Sequence, residues 1–261
     1  MRRALRLWRI FFTHSLVQDL EYRVNWWLNA LNSLLFLGAG LVVLWVVFTQ
    51  ADTIGGWSFD EAFTLLGVFV FLEAVTMVFL VPNLNRVPDY VRRGELDFLL
   101  LKPLSARFIV STRYASVWWT PQLALGLAVI GYGMGRQGTL QPAAVALGAV
   151  MLIAAVATLY AVWFALTTTA FWFVKVDNVS ELFTAFFAAG RFPVSAYPGW
   201  ARALLTFVVP VAFLTTVPAE ALSGRLSWPW ALAALGVAAA LLVVSQLLWR
   251  AALANYTSAS S

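Results

Sequence analysis

Residues 28–48 read LNALNSLLFLGAGLVVLWVVF, 21 positions without one formal charge. A helix needs ~20 mainly apolar residues, at ~1.5 Å rise each, to cross about 30 Å of hydrocarbon. This run has the length and the composition. Residues 62–81 repeat the pattern with a single charge, Glu73, and residues 115–134, 143–174 and 229–249 repeat it with none. The whole chain agrees: of its 261 residues 62% are hydrophobic and 11% charged, and its mean hydropathy is +0.82. A soluble domain of this length carries roughly a quarter charged residues. The apolar excess therefore faces lipid, and the expected fold class is an all-α membrane protein forming a single transmembrane domain.

The stretch between 179 and 222 is harder to read. Residues 179–190 are too short to cross alone, and Arg191, Pro193, Pro198, Trp200 and Arg202 precede a second apolar run that contains Pro210. Arg and Lys bias decides between the alternatives, because basic residues concentrate in cytoplasmic loops. With the N-terminus inside, 13 of the 17 basic residues fall inside, and only Arg136, Arg191, Arg202 and Arg225 fall outside. Both termini are then cytoplasmic and the number of crossings is even. The expectation is six spans, at 28–48, 62–81, 115–134, 143–174, 179–191 and 229–249. Residues 192–222 form an outer re-entrant excursion, since Pro and Gly at membrane depth are tolerated where backbone is packed in protein.

The N-terminal residues 1–24 differ in kind. Leu5, Trp8, Phe12 and Leu16 share one helical face, while Arg2, Arg6, Arg9 and Thr13 share another. Such a helix lies in the interface with its arginines at anionic headgroups. Its apolar residues are interrupted by Arg6, Arg9 and Asp19, so it is not read as a signal peptide.

The one long inside loop, 82–112, holds a short helix signal. Pro88 suits a first turn and Asp89 the positive end of the helix dipole, Arg92 and Arg93 suit its negative end, and Gly94 a left-handed stop. Glu95, Leu96 and Asp97 follow. A rigid charged helix of this kind suits docking of a cytoplasmic partner; from charge alone, simple anchoring at the headgroups is the favoured reading.

RRGELDFLLLKPLSARF in this loop resembles the inside loop of ABC-transporter permeases of the type-2 exporter class. GRFPVSAYPGWARALLTFVVPVAFLTTVPAEAL resembles the segment those permeases carry after their fifth span, with a Phe-Pro, a Pro-x-Trp and a later helix-breaking Pro on the outer side. Span number, termini, the N-terminal helix and length fit the same family, so the resemblance covers essentially the whole chain. One departure is Val209, which stands before Pro210 where the family usually has Asn.

The resemblance implies the transmembrane subunit of a bacterial inner-membrane exporter. Its partners would be separate ABC ATPase subunits and a second permease copy, either identical or a sister chain. In that family the inside loop supplies a coupling helix, a role that would fall here on Asp89, Arg92, Arg93, Gly94 and Glu95. Arg191, Pro193, Pro198, Trp200, Pro210 and Glu220 would shape the outer re-entrant segment. No G-x-x-x-x-G-K-[ST] occurs, so the phosphate cradle, with ATP and magnesium, belongs to the partner.

Chemistry in the chain itself has little to work with. There is no cysteine and one histidine, His14, so no metal cluster, Ser-His set or thiolate nucleophile is expected, and no catalytic residue is assigned. No basic stripe interleaved with aromatics points to nucleic acid. Glu73, alone in its span, could bind a cation, relay a proton or be held by a polar neighbour. A proton-coupled carrier using Glu73 is the alternative function, but it predicts repeated halves with matching broken helices, and none is visible. Arg191 and Glu220 are expected to pair, and Thr167, Thr168 and Thr169 to hydrogen-bond between helices. Trp26, Trp27, Trp118, Trp119, Trp200, Trp228, Trp230 and Trp249 fall near span ends as an interfacial belt. The apolar lining suits a hydrophobic or amphipathic cargo.

Overall fold

A computed structural model describes residues 8–15, 17, 23–173 and 177–256. Helix makes up 82% of it. The only β pairing among the described residues is one isolated bridge, Ile54 with Trp57. The principal helices are α1 (Arg23–Phe48), α2 (Phe59–Val75), α3 (Val87–Arg92), α4 (Leu96–Leu100), α5 (Ala106–Thr112), α6 (Thr120–Gln137), α7 (Pro142–Thr168), α8 (Asp177–Ala188), α9 (Gly199–Ala203), α10 (Val217–Leu222) and α11 (Trp228–Ala254).

Local chemistry sets the helix ends. Ser58 caps α2 in a reciprocal box: its hydroxyl accepts from the Glu61 amide, and the Ser58 amide donates to the Glu61 carboxylate at 2.7 Å. Pro142 and Pro229 occupy the first turns of α7 and α11, where a missing N–H costs nothing. Gly138, at φ 67°, closes α6 in the left-handed conformation. Beyond Val75, α2 widens into a π turn, Thr76–Leu80, and continues through Val81–Leu84.

Four helices are long and apolar enough to cross a membrane: Val24–Phe48, Phe59–Arg92, Pro142–Phe171 and Trp228–Ala254. Gly199–Val208 and Ala212–Leu222 meet at 77° and make a fifth if the bent pair is one span. Residues 113–116 are not helical, so the segment expected at 115–134 runs instead from Thr120 to Gln137. At 18 residues it is about 27 Å long; Gln122, Arg136 and Gln137 dilute its hydropathy, and it falls outside that set of four. Asp177–Ala188, with 12 residues, reaches only about 18 Å. Of the expected interfacial helix, residues 8–15 and 17 are helical, with Trp8 stacked on Phe12 at 5.4 Å. Residues 1–7, which include Arg2, Leu5 and Arg6, and Leu16 lie outside the described residues.

α2 is the buried centre, with Leu65, Val68, Phe69, Val70 and Leu72 sealed from solvent. It lies closest to α6, and glycines make the approach possible. A Cβ on Gly126 would sit 2.6 Å from the Phe71 amide nitrogen, and one on Gly67 would sit 2.9 Å from that of Ile130. Small residues at helix crossings let backbones approach in this way. α1 and α11 are the opposite case: Leu28, Leu35 and Trp45 on α1, and Leu232, Val243 and Leu247 on α11, face outward. Apolar surface on this scale needs lipid or another helix against it.

Candidate functional site

Polar contacts gather in two clusters, one near each end of the long helical run that begins with α2. At one end, Arg225 bridges Glu61 at 2.7 Å and Arg136 reaches Asp60 at 3.5 Å. Gln137 donates to the Asp60 carbonyl at 2.9 Å, and Ser195 donates to the Gly55 carbonyl at 2.8 Å. The second contact fastens the segment after Pro193 to the loop before α2. These groups all come from segments assigned to the outer side.

At the other end, the Asn83 side-chain amide donates to the Tyr114 carbonyl at 2.6 Å, and its oxygen accepts from the Tyr114 amide at 2.8 Å. Trp163 donates to Asn85 at 3.0 Å. Tyr256, just past α11, lies here too, edge-on to Phe171 at 5.7 Å. Burial and the adjacent Asp97 carboxylate push the Tyr256 hydroxyl pKa up.

The short helix read from the inside loop is present as α3. Pro88 and Asp89 lie in its first turn, Arg92 in its last, and Gly94 follows at φ 71°. Val87, Pro88 and Tyr90 pack inward, while Asp89, Arg92, Arg93 and Glu95 face outward. Asp89 and Arg92 sit 3.5 Å apart across one turn, an exposed pair of small energetic weight. Beside them Phe98 and Leu101 are 70% and 83% exposed, so the charged patch has an apolar flank at the same end.

α5 fixes this loop to the spans through one cation that the sequence did not single out. Arg107 donates to the Tyr160 hydroxyl at 3.2 Å, to the Ser245 hydroxyl at 2.8 Å and to the Gln246 side-chain oxygen. Its guanidinium also lies over the Phe164 ring at 4.4 Å. The Tyr160 and Ser111 hydroxyls meet at 2.9 Å. Neutral partners and an aromatic face hold this charge where no carboxylate does. Partners 53 and 138 positions away in sequence leave no local signal.

Glu73 is held from α6, accepting from the Gln122 amide at 3.1 Å. Arg191 does not pair with Glu220. Its guanidinium rests over the rings of Phe36 and Phe69, at 4.7 and 5.2 Å, with a buried Nε that has no partner. Two other expectations are corrected. Thr167 and Thr168 donate to Phe164 and Thr169 to Leu166, bonding back along their own helix rather than across to another. Trp249 is 3% exposed, packed edge-on against Phe164 and Phe171, and so belongs to the core rather than to an interfacial belt.

The segment 199–222 turns sharply at Pro210. Pro193, Pro198 and Trp200 lead into α9, and Pro210 interrupts the backbone ladder between two π turns, Leu204–Val208 and Ala212–Thr216. A small cavity of ≈ 80 Å³ lies in the bend, with Arg202, Glu220 and Trp230 among its walls. Among the described residues no group of three or more His, Cys, Asp or Glu could hold a metal ion.

The family model of the ABC-2 family transporter proteins matches residues 34–260. The chain belongs to the ABC-2 transporter family. No curated protein and no solved structure matches it. The ABC-2 match runs from within α1 to beyond α11, so it includes the 82–112 loop, the bent segment and all the described spans except the first part of α1. As an ABC-2 protein the chain is a multi-pass membrane permease of a transport system, and ABC-2 permeases function with ATPase partners.

Proposed function

We propose that this permease crosses the membrane six times with both termini in the cytoplasm, and that its α3 docks on a separate ATPase subunit. α6 and α8 complete the count: α6 as a full crossing, α8 as a short one prolonged by Ala189–Arg191. Residues 192–222 re-enter from the outer side. Asp89, Arg92, Arg93, Gly94 and Glu95 form the coupling surface, and ATP with magnesium is held by the partner. ATP binding would draw the coupling helices of two permease copies together, whether identical or sister chains. The cargo, hydrophobic or amphipathic, moves outward across a bacterial inner membrane. Such coupling requires two arrangements of the assembly, one of which nucleotide favours.

The observation that carries this reading is the α3 geometry, with charges outward, apolar side chains inward and Gly94 ending the helix at positive φ. The test is co-purification from the native membrane. The wild-type chain should bring down a Walker-motif ATPase that lacks spans of its own. Arg92→Glu with Arg93→Glu should lose that ATPase while still inserting in the membrane. A double variant that retains it would refute the assignment.

A further inference from the structure

Two open apolar grooves flank the bent segment. A groove of ≈ 580 Å³ runs between it and α11, lined by Phe207, Pro210, Phe213, Val237 and Leu241. It joins a second groove of ≈ 300 Å³ toward α7 and α8 through Val208, Pro210 and Leu241, which line both. Both volumes fall within the roughly 300–1,000 Å³ typical of small-molecule sites. At its outer end the larger groove meets the small cavity in the bend: Thr206 lines both, and the Phe213 ring of the groove lies 5.9 Å from the Trp230 ring of the cavity. The polar cavity therefore adjoins one end of the apolar groove.

The cavity carries charge of both signs. Arg202 and Glu220 line it, and neither forms an ion pair within 4.0 Å among the described residues, whereas neighbouring Arg225 is committed to Glu61. Glu220 lies in the field of Arg225 and Arg202 but at ion-pair distance from neither, and the two opposite charges beside the apolar groove complement a molecule with the same arrangement reversed. We propose that the cavity and groove bind a lipid-like amphipath with a zwitterionic head, its anionic group at Arg202, its ammonium at Glu220 and its alkyl chain along Phe213, Val237 and Leu241. This names the cargo class of the permease and rests on that reading. Both charges are required: a purely anionic head would leave Glu220 facing like charge, and an uncharged head would leave both groups unpaired.

The test uses the full chain in micelles of an uncharged maltoside detergent, without nucleotide. The probe is phosphatidylethanolamine bearing a photoreactive group on its acyl chain. Matched probes of phosphatidylglycerol and diacylglycerol supply the anionic and uncharged heads. The expected label falls on α9–α11 residues of the groove, at least about fivefold stronger for the zwitterionic probe. Glu220→Gln should erase the preference over phosphatidylglycerol, and Arg202→Gln the preference over diacylglycerol. Gly236→Leu fills the groove, and a Cβ there meets nothing within 4 Å, so the helix accepts it. That variant should cut labelling by a similar factor.

Equal labelling by the three probes, label spread evenly over α1 and α11, or labelling unchanged by Gly236→Leu would overturn the site. Absent labelling, with Gly236→Leu instead dissociating a dimer, would assign the groove to a second copy. Because the label needs no ATPase, its failure is distinct from failure of the coupling reading, which the α3 variants report.

Discussion

Arg107 donates through Nη2 to the Ser245 hydroxyl at 2.8 Å, joining α5, at the end of the 82–112 loop, to α11. The same guanidinium holds Tyr160 on α7, so three elements meet at one cation. A loop moved by a partner would pull α7 and α11 through this joint. Arg107→Ala should therefore lower thermal stability by about 1–3 kcal/mol. More specifically, it should leave ATPase association intact while reducing ATP-driven transport. Measuring both in the reconstituted complex separates the effects. Unaltered transport would show that the joint carries no motion.

The α2–α6 crossing gives a contrast between glycines. Gly126→Ala forces a Cβ toward the Phe71 backbone, which cannot swing aside as a side chain would. A loss of about 1–3 kcal/mol is expected. Gly131, on the same helix, opens onto free space. Gly131→Ala should be neutral or stabilising by up to about 1 kcal/mol. Thermal unfolding in detergent reads the difference, at about 2–4 °C per kcal/mol for a chain of this size.

Ser58, Glu61 and Arg225 make a second such series. Ser58→Ala removes a cap and should cost about 1 kcal/mol. Glu61→Ala removes both the return half of the box and the partner of Arg225, and should cost more than Ser58→Ala. Arg225→Ala breaks only a partly exposed pair and should stay within about 1 kcal/mol. The order of the three melting temperatures checks the assignment.

Glu73 separates the permease from a proton-coupled carrier. Held by Gln122, it acts as a hydrogen-bond acceptor between α2 and α6. Glu73→Gln should preserve ATP-driven transport, with only a modest fall in stability. Transport that collapsed, together with loss of dependence on a proton gradient, would favour the carrier.

Much of this architecture was legible in the sequence because lipid writes its demands locally. Runs of uncharged residues mark α1, α2, α7 and α11, and Pro88 and Gly94 bracket α3 through backbone constraints that reach no further than one turn. α6 was read as a span but with its start at 115 instead of Thr120, because residues 115–119 carry no charge although 113–116 are not helical; its Gln122 and Gln137 bond to α2. The Ser58-x-x-Glu61 box was readable and passed over. The Arg107 joint, the place of Arg191 over Phe36 and Phe69, and the burial of Trp249 depend on helices distant in sequence coming together, which no local pattern encodes.

The chain lacks cysteine, so single cysteines can be introduced without background. Arg92 and Trp200 are both exposed, at opposite ends of the bundle. Arg92→Cys and Trp200→Cys, each treated in intact cells with a membrane-impermeant maleimide, test the sidedness on which ATPase docking depends. The account predicts that position 200 reacts from outside and position 92 only after the membrane is opened. Labelling of both positions from one side would contradict it.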